Sequence, residues 1–332
     1  MKKIFLLLIP VIFIIISCGS PNEPEVIKDG NNGYVIVSKF VTSGYAQDVI
    51  KKDSLLFVAQ GEGGLVIINI KDPLKPKLVS EVISSLRGYS YKVANKDSVV
   101  FIAAGNFGVS AVDISDPYNP VVTVNNLPMK PARNLFVKGD YLFTAVSELG
   151  FNIADISFPT SPDVRTTTFT PGYAQSLVTT DDDNYLLVAC GELGFAMMDI
   201  SDFQDGFGYY PVAGWLDTPG YAVDVITHPT KQVAFLACGT GGLVIIDYAD
   251  TLNLKILGSF NTGGYAKELA YKDNKIFVTT ETRGLQIIDV SDLSKPKRIA
   301  TVSTKYAIGV YVEDQYVYVA DQQEGIVVVK MP

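Results

Sequence analysis

Apolar runs of about five residues alternate along this chain with short stretches rich in Gly, Asp, Pro and Asn. In the first such block the runs fall at 45–51, 55–59, 65–70 and 78–83. Between them stand Lys52-Asp53-Ser54, then a glycine-rich break, then Lys71-Asp72-Pro73-Leu74-Lys75-Pro76. Runs this short, dense in Val and Ile and bounded by turn residues, predict strands rather than helices. The block therefore predicts a four-stranded antiparallel meander. Its first break is a hairpin turn, and in its third Asp accepts from backbone N–H groups while Pro presets φ.

The block recurs. A glycine followed by an apolar run, and usually an aspartate, marks its register at 64–69, 108–113, 150–155, 194–199, 242–247, 284–289 and 325–330. Successive register glycines are 44, 42, 44, 48, 42 and 41 residues apart. Several strands per unit at a period of roughly 40–50 residues predict an all-β, seven-bladed β-propeller of four-stranded antiparallel blades. The last copy stops after its third strand at 326–329, whereas 34–41 precedes the first copy like an unclaimed fourth strand. Pairing strand 34–41 with the three C-terminal strands completes the seventh blade and hides both edges. Repeating one small core per blade lets a chain of this length fold as a single ring.

The first residues belong to something else. Lys2 and Lys3 precede an apolar run at 4–16, then Ser17 and Cys18. The run is short for a membrane span and has the layout of a secretory signal. Cys18 directly after Ile15-Ile16-Ser17 resembles a bacterial lipobox, which implies cleavage before Cys18, lipidation of that residue and membrane attachment through the lipid alone. Gly19 rather than Asp after the cysteine favours the outer membrane or cell surface by the same resemblance. The expected organisation is a signal at 1–17, a flexible tether at 18–33 with almost nothing apolar, and a propeller at 34–332, monomeric once its ring is closed.

Composition narrows the partners. The chain carries a net charge of −8, and loss of Lys2 and Lys3 with the signal makes it −10. An acidic surface without a basic stripe argues against nucleic acid and anionic lipid headgroups. Past Cys18 only Cys190 and Cys238 remain, in equivalent slots of adjacent repeats. That spacing places them about 10 Å apart, beyond disulfide reach, as small buried residues.

The runs 243–247 (Leu-Val-Ile-Ile-Asp) and 65–69 (Leu-Val-Ile-Ile-Asn) resemble the repeat of the LVIVD family, and the likeness extends over 34–331. The resemblance implies a propeller of a bacterial or archaeal cell-surface type, mostly without assigned activity, and carries over no catalytic residue. Asn152 inside the third run and the missing aspartate of the last copy depart from the pattern.

Alternating strand direction puts the fourth-to-first and second-to-third connections on one face. There lie Gly-Tyr-Ala segments containing Tyr45, Tyr173, Tyr221 and Tyr265, with close variants at Tyr89 and Tyr306, while the third repeat has Lys130-Pro131-Ala132 instead. Such a ring is either a set of wedges between blades or an aromatic platform for a sugar or peptide. The two residues that follow each segment differ from repeat to repeat: Gln47 and Asp48, Tyr91 and Lys92, Arg133 and Asn134, Gln175 and Ser176, Val223 and Asp224, Lys267 and Glu268, Ile308 and Gly309. Binding specificity is expected from these positions, with Asp48, Arg133, Asp224, Lys267 and Glu268 as the charged candidates. On the opposite face, the longest gap carries aromatic residues at 203–210, either a contact patch or a cover for the blade edge.

Catalytic ingredients are thin. The lone His228 precedes Pro229 in a turn, which disfavours triads and histidine-held metals. The turn aspartates diverge around the rim and do not make a calcium site. No glycine loop cradles a phosphate, and no cofactor is expected. The expected function is a non-enzymatic, envelope-anchored module that binds a protein or glycan through one propeller face. The alternatives are a periplasm-facing assembly scaffold and a glycoside hydrolase using Asp48, Asp224, Glu268 or the set Glu62, Glu148 and Glu192.

Overall fold

The computed structural model describes residues 31–203, 207–208 and 210–332, in which twenty-eight strands and no helix occur. The signal, Cys18 and most of the tether lie outside the described residues. The strands form seven four-stranded antiparallel sheets. Six are consecutive meanders opened by β2 (Asp48–Lys52), β6 (Lys92–Lys96), β10 (Asn134–Lys138), β14 (Ser176–Thr179), β18 (Asp224–Thr227) and β22 (Leu269–Lys272). The seventh is opened by β26 (Ala307–Glu313), and its last place is taken by β1 (Val35–Phe40) against β28 (Gly325–Lys330). Val35 faces Lys330 and Phe40 faces Ile326, so the ring closes with one strand plus three, as the chain ends imply.

A strand's two-residue period explains the apolar motif. In β4 (Leu65–Asn69), Val66 and Ile68 pack with Tyr318, Ala320 and Val328 of blade seven, while Leu65 and Ile67 pack with Val100, Ile102 and Val112 of blade two. Each of the seven hydrophobic clusters is shared by two neighbouring blades. Both faces of every sheet are therefore buried, and the third strands are almost wholly apolar, with Ser110, Asn152 and Gln286 as buried polar exceptions. At about 1.5–3 kcal/mol per fully buried aliphatic side chain, the seams rather than isolated blades hold the ring together.

The register glycine has a steric cause. Gly64, Gly108, Gly150, Gly194, Gly242, Gly284 and Gly325 all have φ between +72° and +79°. A Cβ on Gly242 would stand 2.2 Å from the carbonyl oxygen of Phe260 on the outer strand. Gly242→Ala is thus expected to destabilise by about 2 kcal/mol or more, from the left-handed backbone and the displaced strand together. Gly139, with φ +56° and open space around its Cα, is the matched control, and its alanine variant should cost about half as much. Equal urea midpoints for the two variants would show the close approach to be irrelevant.

The motif's terminal acid is a turn device. The Oδ1 of Asn69, Asp113, Asp155, Asp199, Asp247 and Asp289 each accepts the N–H two residues on. Inside the turns, Asp72, Asp116, Asp250 and Asp292 do the same.

The first strands of the blades line the axis, each touching the next and β26 touching β2. All start on one face, the mouth face. Both ends of the described chain lie on the other: β1 begins and β28 ends there, and a Cβ on Gly33 would lie 2.9 Å from Pro332.

Candidate functional site

Six seams on the mouth face are stitched by backbone bridges, Gly61 with Ser90, Gly105 with Ala132, Ser147 with Ala174, Gly191 with Ala222, Gly239 with Ala266 and Glu281 with Ala307. Each joins a second-to-third turn to the residue after the tyrosine position of the following blade. The tyrosine lies across that turn. A Cβ on Gly61, Gly191 or Gly239 would stand 2.7–2.9 Å from the ring of Tyr89, Tyr221 or Tyr265, so glycine there makes room for the aromatic wedge. These three rings and Tyr306 are half-buried. Where the turn carries Ser147 or Gln322 instead, the following tyrosines remain at the surface, Tyr173 49% and Tyr45 59% exposed. The ring of six is thus three wedges over glycine, a half-buried Tyr306 beside Glu281, and two exposed side chains.

Within the ring of bridges the channel opens as a cup of about 300 Å³. Of the charged candidates, Arg133, Asp224, Lys267 and Glu268 line it, and Tyr306 is the one tyrosine of the six that does. Gln47, Tyr91, Lys92, Asn134, Gln175, Val223 and Ile308, all from the variable pairs, complete most of the wall. Glu281 and Gln322 also line it, from second-to-third turns. Sequence reasoning assigned them no role, although they occupy the slot that is glycine in four other blades. Tyr45, Tyr89, Tyr173, Tyr221 and Tyr265 stay outside.

An ion cluster sits within the cup. Lys92 Nζ lies 3.1 Å from Asp48 Oδ1 and 2.9 Å from Glu268 Oε1. Since β6 and β22 stand nearly opposite each other around the ring, the ammonium spans the channel. The carboxylates also staple neighbouring first strands. Asp48 Oδ2 accepts the N–H of Val93 at 2.9 Å, and Asp224 accepts the Ser176 hydroxyl at 2.7 Å and the Leu269 N–H at 2.9 Å. Burial alone would lower the Lys92 pKa, but Asp48, Glu268 and Asp224 more than reverse this and leave it raised. Burial lifts the Glu268 carboxyl well above its ordinary range, with Lys92 opposing and Asp48 and Asp224 adding to the rise.

Higher on the wall, Lys267 lies 3.5 Å from Glu281 and over the ring of Tyr265, and Arg133 stands over Tyr91. The cup is polar and of mixed sign, with amides, two tyrosines and a guanidinium. That surface suits hydroxyl-rich or peptide-like ligands.

The remaining candidates are structural. Cys190 and Cys238 are buried free thiols, pushed up by burial to about 12 and about 11. His228 is buried against Phe235 and Tyr271, its Nδ1 accepting the Thr230 N–H at 3.1 Å, and burial lowers its pKa. In the long loop, Phe203 packs on Tyr141 and Phe143, and Tyr210 is buried beside Phe151, so these two aromatics cover the blade edge. Phe207 is exposed, with Arg165 over its ring. Positions 204–206 and 209 lie outside the described residues.

The sequence profile of the LVIVD repeat matches residues 43–83, 87–126, 131–168, 263–304 and 305–330, more than half of the chain. The fourth and fifth blades fall outside those matches yet share the same strand order. No curated protein sequence matches the chain. Among solved structures, the β-propeller domain of Myceliophthora thermophila Cps50 (Swd1) has a TM-score of 0.67 at 12% identity, over 90% of this chain and 100% of that one. The WD40 propeller domain of Doa1 gives 0.67 at 9% identity, over 90% and 97%. The computationally designed Ika8 protein gives 0.63 at 8%, over 87% and 97%. At such identities the likeness is one of fold.

Proposed function

The chain belongs to the LVIVD repeat family, and on that footing we propose that it is a non-enzymatic binding module of the bacterial envelope, lipid-anchored at Cys18, that takes a protein or glycan ligand at its mouth face. One observation carries this reading: the positions that differ between otherwise repeated blades converge on a single cup. A ring maintained only for its own stability has no need of different polar groups at equivalent places. The placement of the termini supports the orientation. The described chain enters at residue 31 on the face opposite the cup, so an anchor at Cys18 would turn the mouth away from the bilayer. At the outer membrane or cell surface the mouth would face outward.

The test is retention of envelope glycans and proteins on the immobilised ring. Arg133→Ala with Gln175→Ala should weaken retention at least tenfold, about 1.4 kcal/mol, with an unchanged melting temperature. Tyr221→Ala, which removes a wedge, should instead lower stability by about 2 kcal/mol, less than a fully buried aromatic. Retention indifferent to the Arg133 and Gln175 changes would remove the cup from the proposal. Cleavage by external protease on intact cells supports outward display, whereas protection supports a periplasm-facing scaffold.

The raised Glu268 carboxyl favours a second reading, a glycoside hydrolase with Glu268 as the acid. Against it, both oxygens of Asp48 and of Asp224 are already held by backbone or side-chain donors, which occupies the carboxylates that would serve as base or nucleophile. Turnover of a retained glycan that Glu268→Gln abolishes would put the hydrolase first.

A further inference from the structure

Outside the cup, the mouth face is not evenly composed. The residue just before the register glycine is Gly63, Gly241, Arg283 or Glu324 in blades one, five, six and seven, but Phe107, Leu149 and Leu193 in blades two, three and four. All three of the latter are exposed, as are Phe169 and Trp215 on the same side. Between blades three and four, Leu193 borders a groove of about 380 Å³ that is lined also by Glu148, Thr170, Pro171, Tyr173 and Glu192. It shares no lining residue with the cup. Trp215, the chain's single tryptophan, marks the groove's edge: it is half-exposed, and its indole N–H donates to the carbonyl of Leu193.

The groove's charge selects its occupant. Both ionisable carboxyl side chains in its wall, Glu148 and Glu192, are acidic, and no lysine or arginine lines it. The backbone N–H of Glu148 itself and the Ser147 hydroxyl hold the Glu148 carboxyl below its ordinary value, and Arg133 adds to this. A second copy of this acidic chain would bring more negative charge to the place, and a sugar would leave the apolar rim uncovered. From the juxtaposition of an apolar rim with two glutamates between blades three and four, we propose that this groove docks an extended segment of a partner protein in which Leu or Phe side chains alternate with Lys or Arg. The apolar side chains enter between Leu193 and Tyr173, and the cations meet Glu148 and Glu192. The segment's apolar anchors supply affinity and the glutamates set specificity and on-rate.

Trp215 supplies the readout. The test is a fluorescence titration of the closed ring, residues 31–332, with short peptides alternating Lys with Leu, Glu with Leu, and Lys with Ser. The Lys–Leu peptide should shift the emission saturably, bind at least tenfold tighter than either control, and weaken as salt is raised. Leu193→Glu with Leu149→Ser should abolish the shift, and Glu148→Gln with Glu192→Gln should weaken binding at least fivefold. Lys267→Ala, in the cup wall and without influence on Glu148, should leave it intact, which separates this groove from the cup. Equal binding of the Glu–Leu peptide, or affinity unchanged in the Glu148 and Glu192 variant, would overturn the proposal. So would concentration-dependent dimerisation that Leu193→Glu abolishes, because the occupant would then be a second copy.

Discussion

A chain that begins at Thr42 is expected to lose its cooperative melt and to associate as its concentration rises. Removing β1 takes away the partner of β28, leaving the apolar run 326–329 as an open, flat edge that can pair with another molecule. It also removes Tyr34, which is 2% exposed and meets Phe277 edge-on, together with Ile36, Val37 and Phe40, which pack into the two seams flanking blade seven. Full burial of an aromatic and partial burial of three further side chains are worth about 5 kcal/mol, the whole stability of many domains. Light scattering after gel filtration and thermal circular dichroism check this. A peptide covering 34–41, added in trans, should restore the monomer and much of the melting temperature. A shortened chain that stays monomeric and melts with the intact one would mean that the seventh blade does not need its N-terminal strand.

The second large effect is expected at Lys92. Lys92→Met leaves the carboxyl groups of Asp48, Glu268 and Asp224 facing one another without a cation, and breaking a buried ion cluster from one side costs about 3 kcal/mol. The sign of its pH dependence is the sharper test. Without the ammonium, which opposes the rise, the folded-state pKa of Glu268, already lifted by burial, rises further above its unfolded value. Groups shifted that way favour the folded state while protonated, and the advantage is lost as pH rises through the raised pKa. The deficit of the variant should therefore be greatest near neutral pH and should shrink by about 1.4 kcal/mol per unit of added shift as pH falls towards the ordinary carboxylate range. Lys92→Met with Glu268→Gln should recover much of the loss at neutral pH. Urea unfolding at several pH values distinguishes this from simple loss of packing, for which the deficit would be the same at every pH.

Much of the architecture could be read in advance because its causes are local and repeated. The register glycine must adopt a left-handed backbone beside the outer strand, so it recurs in all seven copies. Asp113 and its counterparts cap turns within two residues of themselves, which requires no knowledge of the rest of the chain. The tyrosines were only half legible. Their shared Gly-Tyr-Ala setting made six look equivalent, yet the sorting agent is the turn of the preceding blade, glycine ahead of Tyr89, Tyr221 and Tyr265 but serine ahead of Tyr173. Phe203 and Tyr210 could not be assigned to patch or cover, because what they cover is Tyr141, Phe143 and Phe151 of the neighbouring blade.

Blade number, blade make-up and the latch between the chain's two ends follow from spacing alone, since a strand's alternation and a turn's backbone demands act over a few residues. Which variable side chains meet was settled only by closing the ring. Lys92 opens β6 and Glu268 immediately precedes β22, on nearly opposite sides of the axis, and Glu281 and Gln322 reach the cup from turns that carry glycine in four other blades. The strength of a charge contact depends on distance and burial, and neither exists for these groups until seven seams have packed.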